Sequence, residues 1–538
     1  MRLSLLASAA LFALLLAVVV LLQWQGGAFT GFFANDAAAH YVTGMAVRDW
    51  LGGLPSTALR NPIRFVIDYH AHLPLTGFGL WPPLYHAVEG LWMLLIGSSK
   101  TSVLLLSGIV TALTGTAVGL AVCRRAGWVE GLFAGLVMVA NPLAQRASGE
   151  LMLDMPSALA IFLAVRVYAA FLARGGLGIA IAFGICAVAA LLVKYNTLAL
   201  ALVPPLCVLI ARRWDLLLRR AFYAPAVLVA VLAGPLYLKT RSFVEQGFRF
   251  SWGAEYVQLA SVYNALSLFE GLTPLVAPLA LAGLVRALWL GGRTKDVAPM
   301  EVAFAALAIS VLLFLLAVPV ALQDRYMLPA LAPLVVLAGC ECARLRRMLR
   351  QPVLRALGIA LPLAGVVFAA LPPQRLPQDR AAGAIAAMKE ALPPGNPVVL
   401  LVADGDNEPA LIAEIAMRQS HPAQIWVIRG ARLLGGGGFN NADYQPRFAD
   451  TAAMLREIDR YGVAMVILQR QTGPRAWAHV GQFAGLVEQR SERFEKIALS
   501  GDPSPFEVLR LRGNQDAKPD PVALTALSGP GTLMRMVE

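Results

Sequence analysis

Eleven times between Leu3 and Leu371 the chain enters an apolar run long enough, or nearly long enough, to cross a bilayer as a helix. The first, Leu3–Leu22, carries no charged residue. The others lie near 101–122, 128–145, 155–173, 177–193, 197–211, 222–238, 272–290, 299–318, 327–343 and 353–371. Repetition on this scale constrains the fold more than any motif does. Only 14% of the 538 residues are charged and 58% are hydrophobic, against about a quarter charged in a soluble domain. A soluble enzyme, a disordered chain and a disulfide scaffold are excluded. The five cysteines, Cys123, Cys186, Cys207, Cys340 and Cys342, all fall in or at the ends of apolar runs and read as small apolar residues.

The net charge of +12 is uneven. Residues 1–373 hold 27 Lys and Arg against 15 Asp and Glu, whereas residues 374–538 hold 18 of each. An excess confined to the apolar part marks membrane topology, not nucleic-acid binding. A shorter run, Pro83–Gly97, is broken by His86 and Glu89 and decides the parity. If it lies along the interface, sixteen basic residues share one side: Arg2, Arg124, Arg125, Arg174, Arg212, Arg213, Arg219, Arg220, Arg286, Arg293, Lys295, Arg344, Arg346, Arg347, Arg350 and Arg355. Six face the other way beyond the first loop: Arg146, Lys194, Lys239, Arg241, Arg249 and Arg325. Basic residues stay cytoplasmic. The expected topology is therefore eleven spans, the N-terminus inside and the tail outside, a threading compatible with a bacterial inner membrane and a periplasmic tail.

That threading puts Asp36, Glu150, Asp154, Lys194, Asp324 and Arg325 on one face, where ionisable groups at membrane depth are functional candidates. Asp36 precedes a helical stretch, Ala37–Trp50, in a long first loop spanning about 24–100. It reads as a helix cap or as a general base above the membrane surface. His40, His70, His72 and His86 lie in or beside the same loop. His70 and His72 face one metal if the segment is extended; otherwise they are surface or substrate-contacting groups. Asp154 starts one span beside Pro156, Lys194 ends another, and Arg325 opens a third in Asp324-Arg325-Tyr326-Met327-Leu328-Pro329. A lysine and an arginine here suit a lipid-borne phosphate, or snorkel from helix ends. Asp324 beside Arg325 also reads as a local ion pair.

The succession Asn35-Asp36, Trp81-Pro82-Pro83-Leu84-Tyr85, Arg124-Arg125, Leu153-Asp154-Met155-Pro156, Lys194-Tyr195 and Arg325-Tyr326-Met327-Leu328-Pro329 resembles the polyprenyl-phosphate-sugar-dependent glycosyltransferases of the C-type membrane fold. That group includes the protein mannosyltransferase family (glycosyltransferase family 39) and the aminoarabinose transferases acting on lipid A. The resemblance covers roughly residues 1–345. It implies an active site at the outer membrane face, with Asp36 as catalytic base, Asp154 lining the site, and Lys194 and Arg325 holding the donor phosphate. His40, Glu150, Tyr195, Tyr326 and His86 are then substrate-contact candidates. Two departures stand out: Ala37 follows the aspartate where many relatives carry Glu, and Leu80-Trp81 precede the Pro-Pro pair where many carry Glu-Lys. The second removes an expected phosphate ligand and leaves a divalent metal possible but not required, with His70 and His72 as its weak candidates.

The tail changes character after Leu371-Pro372-Pro373. Strands are expected at 397–403, 424–428, 463–468, 495–500 and 505–512, with helices at 407–420, 447–461 and 475–490, an alternation that predicts a small soluble α/β domain. Strand Val398–Val402 ends in Asp404-Gly405-Asp406, and open sheets bind ligands at strand carboxyl ends. Gly435–Gly438 lacks the Lys-Ser/Thr of a phosphate loop and reads as a flexible loop.

The whole predicts a polytopic α-helical membrane domain over 1–373 and an extracytoplasmic α/β domain over 374–538. The expected function is single-sugar transfer from a polyprenyl-phosphate donor to a lipid, glycan or protein acceptor with inversion, with membrane lipids as the other partner and no nucleic acid. The competing readings are a flippase or transporter for lipid-linked sugars and an oligosaccharide ligase releasing a diphosphate carrier. Transporters commonly carry internal repeats around a midplane site. No such repeat is legible, and the polar residues gather on one face.

Overall fold

Helices account for nearly all of the first 370 residues, as their apolar runs require. The structure, a computed structural model, describes residues 5–53, 61–370, 381–419, 424–436, 444–470, 477–499, 504–514 and 517–529. The expected boundary at Leu371-Pro372-Pro373, residues Met1 and Arg2, and Gly437 and Gly438 of the glycine run lie outside the described residues. The chain divides into two units. One contains Met1–Phe29, Trp81–Tyr85 and Leu104–Leu376; the other contains Thr30–Leu80, His86–Val103 and Pro377–Glu538. Most of the first long loop thus belongs with the tail.

Among the described residues six helices have the length and hydropathy to cross a membrane: Leu5–Gln25, Lys100–Cys123, Asp154–Arg174, Ala254–Leu290, Pro299–Ala317 and Asp324–Met348. The pair Arg220–Leu232 and Gly234–Ser242, bent by 52°, makes a seventh if counted as one broken span. Four further apolar helices, Trp128–Ala140, Leu177–Val193, Tyr195–Ala211 and Ala356–Gly365, are shorter. Every one of the eleven apolar runs lies on one of these helices, but six or seven meet the length criterion, not eleven. The shortfall has local causes. Asn141-Pro142 ends one run and starts the separate helix Pro142–Gly149, and the run after Lys194 begins as a 3-10 turn, Tyr195–Leu202. The stretch 239–271, expected as an outer loop, is largely helical; Ala254–Leu290 continues through a kink at Thr273, whose φ is +63°, just before Pro274.

Two helices of this unit approach backbone to backbone. Gly115 and Gly119 on one face Gly135 and Gly131 on the other, and a Cβ on Gly119 would stand 2.8 Å from the Gly131 carbonyl. Small residues four apart give membrane helices this proximity, where dispersion and not the hydrophobic effect must hold them. Leu11, Leu15 and Val19 of the first helix pack into the same seam with Ala112 and Val139. At the basic end, the arginines do not simply face water. Glu130 and Glu301 sit in first turns of helices and Glu341 lies within one. They pair with Arg346, with Arg286 and Arg125, and with Arg286 and Arg344 respectively, so each buried carboxylate has its charge compensated.

The second unit is built on strands β1 Val398–Val402, β2 Trp426–Arg429, β3 Gly435–Gly436, β4 Gln445–Pro446, β5 Val463–Gln469, β6 Phe494–Ile497 and β7 Phe506–Leu511. The main sheet runs β2-β1-β5-β7-β6, with β1 parallel to β2 and β5, and β7 antiparallel to β5 and β6. β1 and β5 are buried at every position, which fits their unbroken apolar sequences. Of the glycine run, Gly435 and Gly436 pair with Pro446 and Gln445. The first loop contributes helices Asn35–Gly52, Pro62–His72 and part of Leu84–Leu95. Ala71 enters the sheet's own core, His72 stacks on Trp426 with ring centres 3.8 Å apart, and Lys100 pairs with the buried Glu414 at 2.9 Å.

Candidate functional site

In the first unit, helices Asp154–Arg174 and Leu177–Val193 form a hairpin. Gly175 and Gly176, with φ of +67° and +98°, make the turn. Two helices of similar length turned back on each other bring the start of one beside the end of the other. Asp154 occupies the first turn, where the helix dipole favours a carboxylate, and Lys194 follows the last turn, where it favours a cation. The Lys194 ammonium donates to Asp154 Oδ1 at 2.6 Å. Asp154 is 1% exposed. Its Oδ2 makes no hydrogen bond and lies 3.7 Å from Arg325 Nε.

Arg325 comes from the 3-10 turn Asp324–Met327 ahead of the next helix. Its Nε donates to Gln323 Oε1 at 2.7 Å, and Lys194 and Arg325 lie 4.8 and 5.7 Å from the Tyr326 ring centre. Two cations, one carboxylate and an aromatic ring thus share one half-buried cluster. Asp324, expected as a partner of Arg325, instead forms its side-chain ion pair with Arg146 and accepts the Arg325 backbone N–H at 2.7 Å. Glu150 follows the short helix Pro142–Gly149; burial raises its carboxyl, while Arg325 and Arg146 pull it back. Tyr195 shares a 2.6 Å hydrogen bond with the Thr240 hydroxyl and packs edge-on against Tyr237.

The remaining candidates belong to the second unit. Helix Asn35–Gly52 is capped by Ala34, which supplies no side-chain acceptor, so Asp36 lies in the first turn and is not the cap. Asn35 takes a left-handed φ of +46°, a conformation asparagine tolerates better than most residues. Its Nδ2 donates to Asp406 Oδ1 at 2.8 Å. One turn on, His40 Nδ1 and His86 Nε2 meet at 3.0 Å, both buried. One ring must donate and the other accept, which fixes opposite roles on the two nitrogens.

Glu89, which interrupts an apolar run of the sequence, shares a helix face with His86. It is 0% exposed, neither carboxylate oxygen has a hydrogen-bond partner, and burial raises its pKa well above the usual carboxylate range. It packs against Gly44, where a Cβ would fall 2.6 Å from its carboxyl carbon. A side chain at position 44 would evict Glu89, a relation that only the fold reveals.

His70 and His72 do not form a shared ligand pair. They lie on helix Pro62–His72, not on an extended segment, so the two side chains diverge by about 200° around the axis. His70 bonds Thr76 Oγ1 at 2.8 Å and the Ser528 carbonyl at 3.3 Å; His72 bonds the Asp68 carbonyl and stacks on Trp426. Among the described residues no group of three or more His, Cys, Asp or Glu is arranged to hold a metal ion.

No protein-family profile matches the chain, and a search of curated proteins returned no match. Solved structures do match. ArnT from Cupriavidus metallidurans in the apo state aligns with a TM-score of 0.60 at 15% identity, covering 95% of this chain and 100% of that one. ArnT from the same organism bound to undecaprenyl phosphate gives 0.56 at 15% identity, covering 94% and 99%. The Archaeoglobus fulgidus oligosaccharyltransferase in complex with Zn and sulfate gives 0.53 at 13% identity, covering 84% and 67%. At these identities the likeness establishes the fold. This chain has the C-type membrane glycosyltransferase fold, with a sheet-containing C-terminal region.

Proposed function

We propose that the protein is a membrane glycosyltransferase that moves one sugar from a polyprenyl-phosphate donor to an extracytoplasmic acceptor. The observation that carries this reading is the Lys194–Asp154–Arg325 cluster. Its two cations, Lys194 and Arg325, held side by side over the Tyr326 ring, suit the negative charge of a sugar phosphodiester. The similarity in fold to ArnT bound to undecaprenyl phosphate supports a lipid-borne phosphate as the ligand. The charge asymmetry of the loops supports a bacterial inner membrane, with the N-terminus cytoplasmic and residues 374–538 periplasmic.

The acceptor oxygen attacks the anomeric carbon and its proton passes to Asp36. The bond from that carbon to the phosphate oxygen breaks, and its electron pair stays on the departing polyprenyl phosphate. The leaving group gains a second negative charge as the bond breaks. Lys194 and Arg325 are fixed in advance by Asp154, Gln323 and Tyr326 and stabilise that charge without reorganising. One displacement inverts the anomeric centre. Glu150, Tyr195, Tyr326, His40 and His86 remain candidate substrate contacts, Tyr326 with the best case because both cations lie over its ring.

The purified full chain is incubated with a panel of polyprenyl-phosphate and polyprenyl-diphosphate sugars and a cell-envelope extract. The expected product is polyprenyl monophosphate. Release of the diphosphate carrier would establish the oligosaccharide-ligase reading, and no release from any donor would favour a flippase.

A further inference from the structure

The carboxyl edge of the main sheet carries groups that the donor chemistry does not use. β1 lies between β2 and β5, with which it runs parallel. The chain leaves β1 for β2 on one side and reaches β5 on the other, a change of winding direction that marks where open α/β sheets receive ligands. The loop at this point is locked. Asp404 N donates to Gln469 Oε1 at 2.9 Å, and Gln469 Nε2 returns a bond to Asp404 Oδ2 at 2.8 Å. Asp404 Oδ1 also accepts the Asn407 amide and side chain.

Over this loop lies a rigid aromatic pair. A Cβ on Gly405 would stand 3.0 Å from Trp477 Cζ2, so the indole packs closely against this backbone. Trp477 and Tyr444 stack with centres 5.4 Å apart and planes 14° apart. The Tyr444 hydroxyl is held on the other side by the His479 N–H at 3.0 Å and His479 Nδ1 at 2.8 Å. Both rings are half-buried, whereas Asp406, next to Gly405, is exposed and accepts Asn35 Nδ2. Asn35 immediately precedes Asp36.

We propose that this edge, formed by Asn35, Asp406, Tyr444 and Trp477, binds the acceptor, and that the acceptor there presents a neutral saccharide. The inference rests on the transferase reading and names its second substrate. A pyranose packs its C–H face on an aromatic ring and turns its hydroxyls outward. Asp406 and the Asn35 carboxamide are suited to take those hydroxyls, and the Asp406 charge disfavours a phosphate at the same place. Because Tyr444 is already hydrogen-bonded to His479 and stacked on Trp477, docking orders few further rotamers. The connection from Asp406 through Asn35 to Asp36 gives the bound saccharide a defined position relative to the proposed base.

The test uses the full chain in lipid nanodiscs, without donor, on an array of neutral and phosphorylated oligosaccharides. At least one neutral class is expected to bind, and Trp477→Ala is expected to weaken it about tenfold, with Trp477→Phe intermediate. Thermal midpoints of both variants establish that the fold survives. Asp406→Ala gives a second reading that leaves the aromatic pair in place and also weakens binding. Undiminished binding in Trp477→Ala and Asp406→Ala, binding restricted to phosphorylated glycans, or no binding at all would each overturn the proposal. Donor release is measured separately, so failure on the array leaves the transferase reading standing.

Discussion

Asp154 and Lys194 meet at 2.6 Å because two helices of one hairpin turn back at Gly175 and Gly176. The pair is a consequence of helix length: each residue is forty positions from the other yet sits at the same end of the hairpin. Charge then determines its partners, since the 1%-exposed carboxylate also lies within ion-pair distance of Arg325.

Removing the lysine alone leaves that carboxylate with its longer contact to Arg325, at 3.7 Å and without a hydrogen bond. Lys194→Met is expected to cost about 3–5 kcal/mol, the usual penalty for breaking a buried pair from one side. The double variant Asp154→Asn with Lys194→Met recovers part of it, because the buried carboxylate that lost its hydrogen-bonded cation is gone. Thermal unfolding in detergent over the full double-mutant cycle checks this. Additive losses would show that the two residues do not depend on each other.

The glycine seam makes a prediction about space. Gly131 has Cys123 Sγ and the Gly119 carbonyl where its Cβ would go, whereas Gly178 has nothing within 4 Å. Gly131→Leu is expected to abolish folded protein, and Gly178→Leu to be tolerated to within about 0.5 kcal/mol. Size-exclusion yield and thermal midpoint of the two variants give the comparison.

Burial drives the His479 imidazole down to about 4. It is 0% exposed and faces Tyr444, Trp477 and Glu408, whose carboxyl lies 4.0 Å away and is itself raised by burial and lowered again by Arg429. Above pH 6.5 the ring is neutral folded or unfolded. As pH falls from 6.5 to 4 the unfolded chain takes up a proton that the folded chain refuses, so stability is lost across that window. Relative to His479→Gln, which keeps the neighbours but cannot titrate, the wild type should lose about 3 kcal/mol between pH 7 and 4. Parallel pH profiles of the two midpoints would contradict this.

Much of this architecture is written in local patterns. The apolar runs place helices, and the tail's alternation places β1, β2, β5, β6 and β7 within a few residues, because buried strands and amphipathic helices impose their periods on the sequence. The candidates Asp154, Lys194 and Arg325 were legible as charges at helix ends, and the structure brings them together. What escaped were relations set by packing across long separations. The Asn35–Asp406 bond joins residues 371 positions apart. Glu89 is a mere break in an apolar run by sequence, and its packing against Gly44 is set by the fold; His70 and His72 sit on a helix that points them apart, although two-residue spacing alone also fits an extended ligand pair. Arg146 took Asp324 from its sequence neighbour for the same reason: proximity in the chain did not predict proximity in the fold.

The proposed displacement is tested most directly at Asp36. Asp36→Asn preserves size but cannot accept the proton, so sugar transfer should fall by about 10²–10⁴ while undecaprenyl-phosphate binding stays within twofold of wild type. Both are read on the same preparation, transfer by labelled sugar appearing in the acceptor and binding by displacement of a fluorescent polyprenyl phosphate. Wild-type transfer in the variant would contradict the assignment of the base, and with it the mechanism proposed for this chain.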